Sequence, residues 1–230
     1  MEKYDFKAGA TLLVNKPLDW TSFDVVNKIR WALRNKLQVK KIKVGHAGTL
    51  DPKATGLLII CTGKFTKKLE SFQGLGKTYT GTLKLGATTP SYDSETEETA
   101  FFPTEHIDDL LLDKTREQFI GAIEQYPPMY SAIKVDGQPL YKMARKGKKI
   151  EVKSRPVAIY EFEFTRVEMP AIDFRVACSK GTYIRSLAYD FGKLLGSGAY
   201  LTGLCRTQIG TYLLADAWEL PDLIKHIEER

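Results

Sequence analysis

Apolar residues recur along this chain at two different periods, and the changes between them mark its elements. Thr11-Leu12-Leu13-Val14 is a short run rich in strand formers. Beyond it, Val25, Val26, Ile29, Ala32 and Leu33 share one face at helical spacing, and Thr21 or Ser22 stands where an N-cap belongs. Residues 41–44 alternate and predict a strand; residues 54–61 are a continuous apolar run and predict a short helix. Alternation returns at 77–85, followed by an acidic loop and a predicted helix over 115–125. Residues 131–135, 158–164 and 174–178 read as strands, 182–195 as a helix, and 211–230 leave room for one helix more. Strands and helices mix without the regular alternation of a doubly wound sheet. The expected fold class is therefore α+β, a mixed, largely antiparallel central sheet with flanking helices. No internal repeat or low-complexity linker interrupts the chain, so residues 1–230 are expected to form a single domain.

Composition narrows the class. With 230 residues, 43% of them hydrophobic, the chain can bury a full core. Its start, Met1-Glu2-Lys3-Tyr4-Asp5-Phe6-Lys7, is charged, and no signal peptide or membrane span follows, so a cytoplasmic location is expected. Cys61, Cys178 and Cys205 are odd in number, widely spaced and set among apolar residues, which reads as reduced thiols. Three histidines without paired ligand spacing argue against a metal site, and no cofactor is expected.

Charge changes the picture more. The net charge of +6 conceals a division: residues 93–117 hold nine acids against Lys114 and Arg116, leaving 32 bases and 19 acids elsewhere. Residues 28–43 contain seven bases and no acid, with Trp31 among them. Lys142, Arg145, Lys146, Lys148, Lys149, Lys153 and Arg155 surround the single acid Glu151, with Tyr141 beside them. Two basic stretches interleaved with aromatics suit a phosphate-backbone partner; a pair of solvated helix faces would read the same way by charge alone.

Next to the first basic stretch stands Gly45-His46-Ala47-Gly48-Thr49-Leu50-Asp51-Pro52, one carboxylate between glycines and a proline. Glycine permits close backbone approach and positive φ, while Pro52 steers Asp51 away from helix, so the aspartate is expected on a stiff loop. Two other readings fail. Gly74-Leu75-Gly76-Lys77-Thr78 ends like a P-loop, yet Ser71 replaces the first glycine and a strand follows where a helix should open. A phosphoaspartate site would want a second acid two residues on, where Lys53 stands.

The sequence from Lys43 through Gly48-Thr49-Leu50-Asp51-Pro52 to Leu58 resembles the signature of the TruB family of pseudouridine synthases. Further segments are similar to that family's motifs in the same order: Lys77-Thr78-Tyr79 with Leu85-Gly86, residues 125–134 with Gly137, Tyr141, Ala144-Arg145 and Gly147, residues 178–187, and Leu204-Cys205-Arg206-Thr207. The likeness runs from about Leu12 to Gly210. It implies the pseudouridine synthase fold and an RNA-modifying isomerase that converts the T-loop uridine of tRNA, position 55, to pseudouridine. The partner implied is the tRNA T-arm, with no membrane and no obligate protein partner.

By the same resemblance Asp51 is the nucleophile, Arg185 pairs with it and favours its ionised form, and Tyr79 stacks on the flipped base and helps to remove the C5 proton. His46 takes the place of the extracted base, with Gly48 beside it. Tyr183 and Leu204 line the uracil pocket; Lys16, Lys134, Lys180 and Arg206 lie near phosphates or the pocket edge; Asp93 matches an acidic position near the active site, although its acidic neighbours suit a solvated loop equally well. Two departures stand out. Asp19 occupies a turn position that is usually glycine, a place aspartate tolerates better than most residues. A C-terminal RNA-binding domain of the PUA type is usual in the family and is expected to be absent or vestigial here. A non-catalytic RNA-binding module would dispense with Asp51, Tyr79 or Arg185, and all three are present. An RNA-guided synthase working inside a protein complex would be expected to carry the further domain.

Overall fold

In a computed structural model of the chain, the described residues are 4–131, 133–135, 137–144 and 152–229. The first elements are β1 (Thr11–Lys16), α1 (Ser22–Leu37), β2 (Val44–Ala47), β3 (Ala54–Thr62), α2 (Leu69–Gln73) and β4 (Lys77–Leu85). Then come β5 (Ala87–Thr88), β6 (Ala100–Phe101), α3 (Asp109–Glu117), β7 (Gly121–Gln125), β8 (Lys134–Val135), β9 (Gln138–Pro139) and α4 (Leu140–Ala144). The remainder is β10 (Arg155–Glu168), β11 (Ala171–Cys178), α5 (Ile184–Leu194), β12 (Ala199–Ile209), β13 (Tyr212–Leu213), β14 (Trp218–Glu219) and α6 (Leu220–Glu229). The fold is α+β with largely antiparallel strand pairing, as the patterning predicts. Contacts divide it into two compact units, Met1–Tyr79 with Leu204–Arg230, and Thr80–Gly203.

In the first unit β1 lies antiparallel to β3 and parallel to β14, while β3 also pairs with β2 and, from Leu204 onward, with β12. Helix α1 starts where its chemistry dictates. The Thr21 side chain accepts from the Asp24 amide at 3.0 Å and the Asp24 carboxylate accepts from the Thr21 amide at 2.9 Å, a closed capping box. Val25, Val26, Ile29, Ala32 and Leu33 are all fully buried against Leu12, Val14, Leu58, Ile60 and the Leu223-Ile224-Ile227 face of α6. Each of these side chains except Ala32 contributes about 1.5–3 kcal/mol.

The second unit pairs β10 with β11 and β7, all antiparallel. Phe119, Phe162, Phe164, Phe174 and Phe191 pack there at ring centroid separations of 5.5–6.5 Å, most of them edge to face.

Several predicted elements need correction. Residues 54–61 form strand β3, not a helix: periodicity cannot assign a short apolar run that is buried on both faces, and here the backbone is claimed by three neighbouring strands. Residues 115–125 hold the end of α3 and the whole of β7. The helix begins earlier, at Asp108, whose side chain caps the Leu111 amide, and Gly121 at φ +101° turns the chain into the strand. The strand predicted at 41–44 starts only at Val44, and that at 131–135 is reduced to Lys134–Val135, with Ala132 outside the described residues. Of the second basic cluster, Arg145, Lys146, Lys148 and Lys149, with Glu151, also lie outside them.

Candidate active site

In the first unit the Asp51 loop is pinned at nearly every residue. Ser22, buried at the start of α1, grips Leu50 twice: its Oγ accepts from the Leu50 amide at 2.8 Å and donates to the Leu50 carbonyl at 3.1 Å. The Asp51 carbonyl accepts from the Ala54 amide at 3.0 Å, and the Pro52 carbonyl from the Asp19 amide at 2.9 Å. Asp19 takes the left-handed backbone, φ +62°, that its place in the turn requires, and its carboxylate uses the position to pair with Lys53 at 2.7 Å. Gly56, just past the loop, has φ +103°, and a Cβ there would come within 2.4 Å of the Arg206 carbonyl oxygen, so only glycine fits. A carboxylate carried on such a loop is oriented before any ligand arrives.

Two buried cations complete the support. The Lys16 ammonium, with the residue fully buried, donates to the carbonyls of Trp20 at 2.6 Å, Pro17 at 2.8 Å and Pro52 at 3.4 Å. Burial pulls its pKa down to about 8, against the opposing pull of the Asp51, Asp19 and Asp24 carboxylates. Arg206, 1% exposed, spans β12 to the loop, donating to Leu57 at 2.8 Å and to the Gly48 carbonyl at 3.0 Å. Both residues were expected near phosphates or the pocket edge. The structure puts their charges inside the unit, under the loop. His46, in β2, is half-buried; burial first, then the Arg206 charge, lowers its pKa, so the ring is neutral at pH 7. Gly48, at φ +90°, lies over the Arg206 guanidinium. Leu204 pairs with Ala54 in register and is half-buried, and Tyr79, 8% exposed, closes the unit's share of β4. The first unit thus gathers Asp51, His46, Gly48, Lys16, Leu204, Arg206 and Tyr79.

Arg185, Asp93, Tyr183, Lys180 and Lys134 belong to the second unit. Arg185 projects from α5 and is 3% exposed; its Nη1 donates to the Ser91 carbonyl at 3.0 Å and its Nη2 to the Tyr130 carbonyl at 2.8 Å, with Nε 3.6 Å from the Asp93 carboxylate. Asp93 is therefore no solvated loop residue. It is 4% exposed, its carbonyl accepts from the Thr89 and Ser91 hydroxyls, and it bridges to Leu201. Tyr183 precedes α5 half-buried; Lys180 is exposed; the Lys134 backbone lies in β8.

Three supporting residues, Ser22, Gln125 and Arg155, were given no role at the site by the sequence. Ser22 holds Leu50, and its only sequence signal was its place near an N-cap. Gln125, fully buried, exchanges two hydrogen bonds with the Tyr183 backbone, its Oε1 accepting from the amide at 2.7 Å and its Nε2 donating to the carbonyl at 3.0 Å. Arg155 lays its guanidinium 4.5 Å from the centre of the Tyr183 ring and donates to the Gly181 carbonyl. Among the described residues no group of three or more His, Cys, Asp or Glu side chains could hold a metal ion, and no helix is long and apolar enough to cross a membrane.

The chain as a whole is similar to known proteins. Residues 34–184 match the TruB family pseudouridylate synthase (N terminal domain). The tRNA pseudouridine synthase B of Flavobacterium johnsoniae is 58% identical over 221 residues, covering 96% of each chain. That of Parabacteroides distasonis is 57% identical over 210 residues, covering 91% of this chain and 89% of its own. Among solved structures, a chain in a Cbf5-Nop10-Gar1 complex aligns with 96% of this chain at 27% identity and a TM-score of 0.70. A chain in an H/ACA RNP bound to a substrate RNA containing 2'-deoxyuridine does so at 25% identity and a TM-score of 0.68. This chain spans 54% and 53% of those two. The chain belongs to the TruB family of pseudouridylate synthases, isomerases that modify RNA.

Proposed function

We propose that the enzyme converts the T-loop uridine of tRNA, position 55, to pseudouridine, with Asp51 as nucleophile on a flipped-out nucleotide. The observation that carries this reading is the loop itself: Asp51 stands between residues fixed by Ser22, Lys16, Asp19 and Arg206. The relatives at 58% and 57% identity bear the name tRNA pseudouridine synthase B, which supports tRNA as the substrate.

The reaction breaks the bond from N1 to C1′, turns the base and joins C5 to C1′; the proton leaving C5 balances one gained at N1. An ionised carboxylate can begin it by attack at C1′ of the ribose or C6 of the uracil, or by taking the C2′ proton. Arg185 favours the ionised form of Asp51, because an opposite charge lowers a carboxyl pKa. Tyr79 stacks on the extruded base and assists loss of the C5 proton; Tyr183 and Leu204 line the uracil pocket, with Asp93 holding Arg185. A neutral His46 fills the space the base leaves, since an uncharged ring enters a stacked loop at less desolvation cost than an imidazolium. Lys180 and Lys134 meet phosphates. No cofactor takes part, and the enzyme acts on free tRNA in the cytoplasm without an obligate protein partner.

The test is pseudouridine formation on a synthetic T-arm hairpin by the wild type and by Asp51→Asn. Asparagine keeps the shape without the anion, so turnover should vanish while hairpin affinity stays within about threefold, under 0.7 kcal/mol. Turnover by Asp51→Asn near the wild-type rate would refute the nucleophile.

A further inference from the structure

The acid-free stretch at 28–43 folds into a feature the isomerase chemistry does not use. A cleft of about 500 Å³ is lined by Arg30, Arg34, Lys40, Lys41, Ile42 and Lys43. A second, of about 380 Å³, shares Lys41, Ile42 and Lys43 with it and adds Lys7, Lys64 and Lys67. Among the described residues, no acidic side chain lines either cleft. Among the described residues, none of the side chains of Arg34, Lys40, Lys41, Lys43 or Lys64 makes an ion pair or hydrogen bond, and all are exposed. So many like charges converging without a counter-charge repel one another, and a polyanion relieves that repulsion.

The outer face of α1 extends the surface. Phe23 and Trp31 are 58% and 56% exposed, and each ring already holds a cation: Arg30 lies 5.8 Å from Phe23 and Lys28 lies 5.7 Å from Trp31. Rings engaged in this way orient cations rather than stand open to bases, which points to phosphates and not to base readout. Arg30 also donates to the Val44 carbonyl at 2.9 Å, fixing the surface to the strand that carries His46.

We propose that the outer face of α1, with the loop at residues 38–43 and its two clefts, is a second RNA surface that holds the phosphates of an RNA double helix whatever its sequence. It rests on the reading above only in taking RNA as the partner. Held there, an RNA is retained next to β2 while its target loop is tried at the catalytic loop.

The probe is a fluorescent RNA duplex of about sixteen base pairs without a target loop, titrated by anisotropy at several salt concentrations. The triple variant Arg34→Glu/Lys40→Glu/Lys41→Glu should bind it about tenfold or more weakly near 0.1 M salt, and the log-log salt slope should shrink by about two to three. The charge-keeping triple Arg34→Lys/Lys40→Arg/Lys41→Arg should bind within about threefold of wild type, and thermal melts of both variants check the fold. Failure of the wild type to bind the duplex, equal binding by the charge-reversed triple, or equally tight binding to anionic phospholipid vesicles would each overturn the proposal. Because the duplex is no substrate, these outcomes are separate from the hairpin assay of Asp51.

Discussion

A lysine sealed among three carbonyl oxygens must show its burial in a titration. With the pKa of Lys16 lowered from 10.5 to about 8, keeping its proton costs the folded state about 3 kcal/mol, at 1.36 kcal/mol per unit. The sign follows from which state holds the proton. Below pH 8 both folded and unfolded chains are protonated and the cost is constant; between 8 and 10.5 the unfolded chain holds the proton that the folded one has released, so stability rises with pH. Lys16→Met removes this dependence. Urea unfolding of both proteins should therefore diverge, the wild type gaining about 2 kcal/mol on the variant between pH 8 and pH 9.5. Asp51 supplies an independent check, because its carboxylate is the foremost charge holding the Lys16 pKa up. In Asp51→Asn the ammonium should titrate still lower, read from the ε-carbon shift of labelled lysine by NMR. Parallel unfolding curves across this range, or a Lys16 pKa unmoved in Asp51→Asn, would refute the buried-cation reasoning.

Other parts of the support give their own tests. Ser22→Ala strips both partners from the buried Leu50 peptide and should cost about 2–4 kcal/mol in urea unfolding, with kcat on the hairpin falling about tenfold or more while KM holds; an unchanged kcat would show that the loop keeps its place without Ser22. Tyr79→Phe keeps a stacking face and loses the hydroxyl, so hairpin binding should persist while turnover drops; equal turnover leaves Tyr79 a packing residue. Arg185→Lys replaces a planar guanidinium, whose two separate nitrogens meet the Ser91 and Tyr130 carbonyls, with a point-like ammonium and should lose about ten- to a hundredfold in kcat, an idea that full activity of the variant would end. His46 has its pKa lowered below 6.5, so as pH falls through that value the unfolded chain gains a proton that the folded one does not, and stability drops. Unfolding of His46→Gln should lack that acid-side loss, and identical profiles would contradict it.

How far the fold could be read from the chain depended on how many faces each element buries. Helix α1 buries one face, and its five apolar positions and its capping residue were all visible, because a one-sided helix writes its period into the sequence. Strand β3 is buried on both sides, and it loses its period for the same reason that it is central. The region of α3 and β7 failed differently: the capping signal at Asp108 was present but sat among other acids, which hid it within an apparent loop. Gly121, whose positive φ separates helix from strand, looks in the sequence like any glycine.

The site divides along a similar line. The residues proposed to carry chemistry were legible because the motifs that resemble the family hold them in fixed order, so Asp51, Tyr79, Arg185 and His46 could be named without a structure. What those residues rest on was legible only as residue type. Lys16 and Arg206 look like surface bases in the sequence, yet each is turned inward onto backbone carbonyls, Pro52 and Gly48 of the Asp51 loop among them, a use that depends on where distant segments meet and not on spacing. The two inward charges have distinct consequences. Arg206 adds its charge to the burial that lowers the His46 pKa, and Lys16 joins the turn at 17–20 to the peptide that follows Asp51, so truncating either one alters the electrostatics and the geometry of the loop at once. Only charge-conserving substitutions could separate those effects, and arginine at 16 or lysine at 206 would have to find the same carbonyls with a differently shaped donor. Arg34, Lys40, Lys41 and Lys43 differ from that pair in facing solvent, which is why the proposed second RNA surface is drawn through them and not through the inward charges.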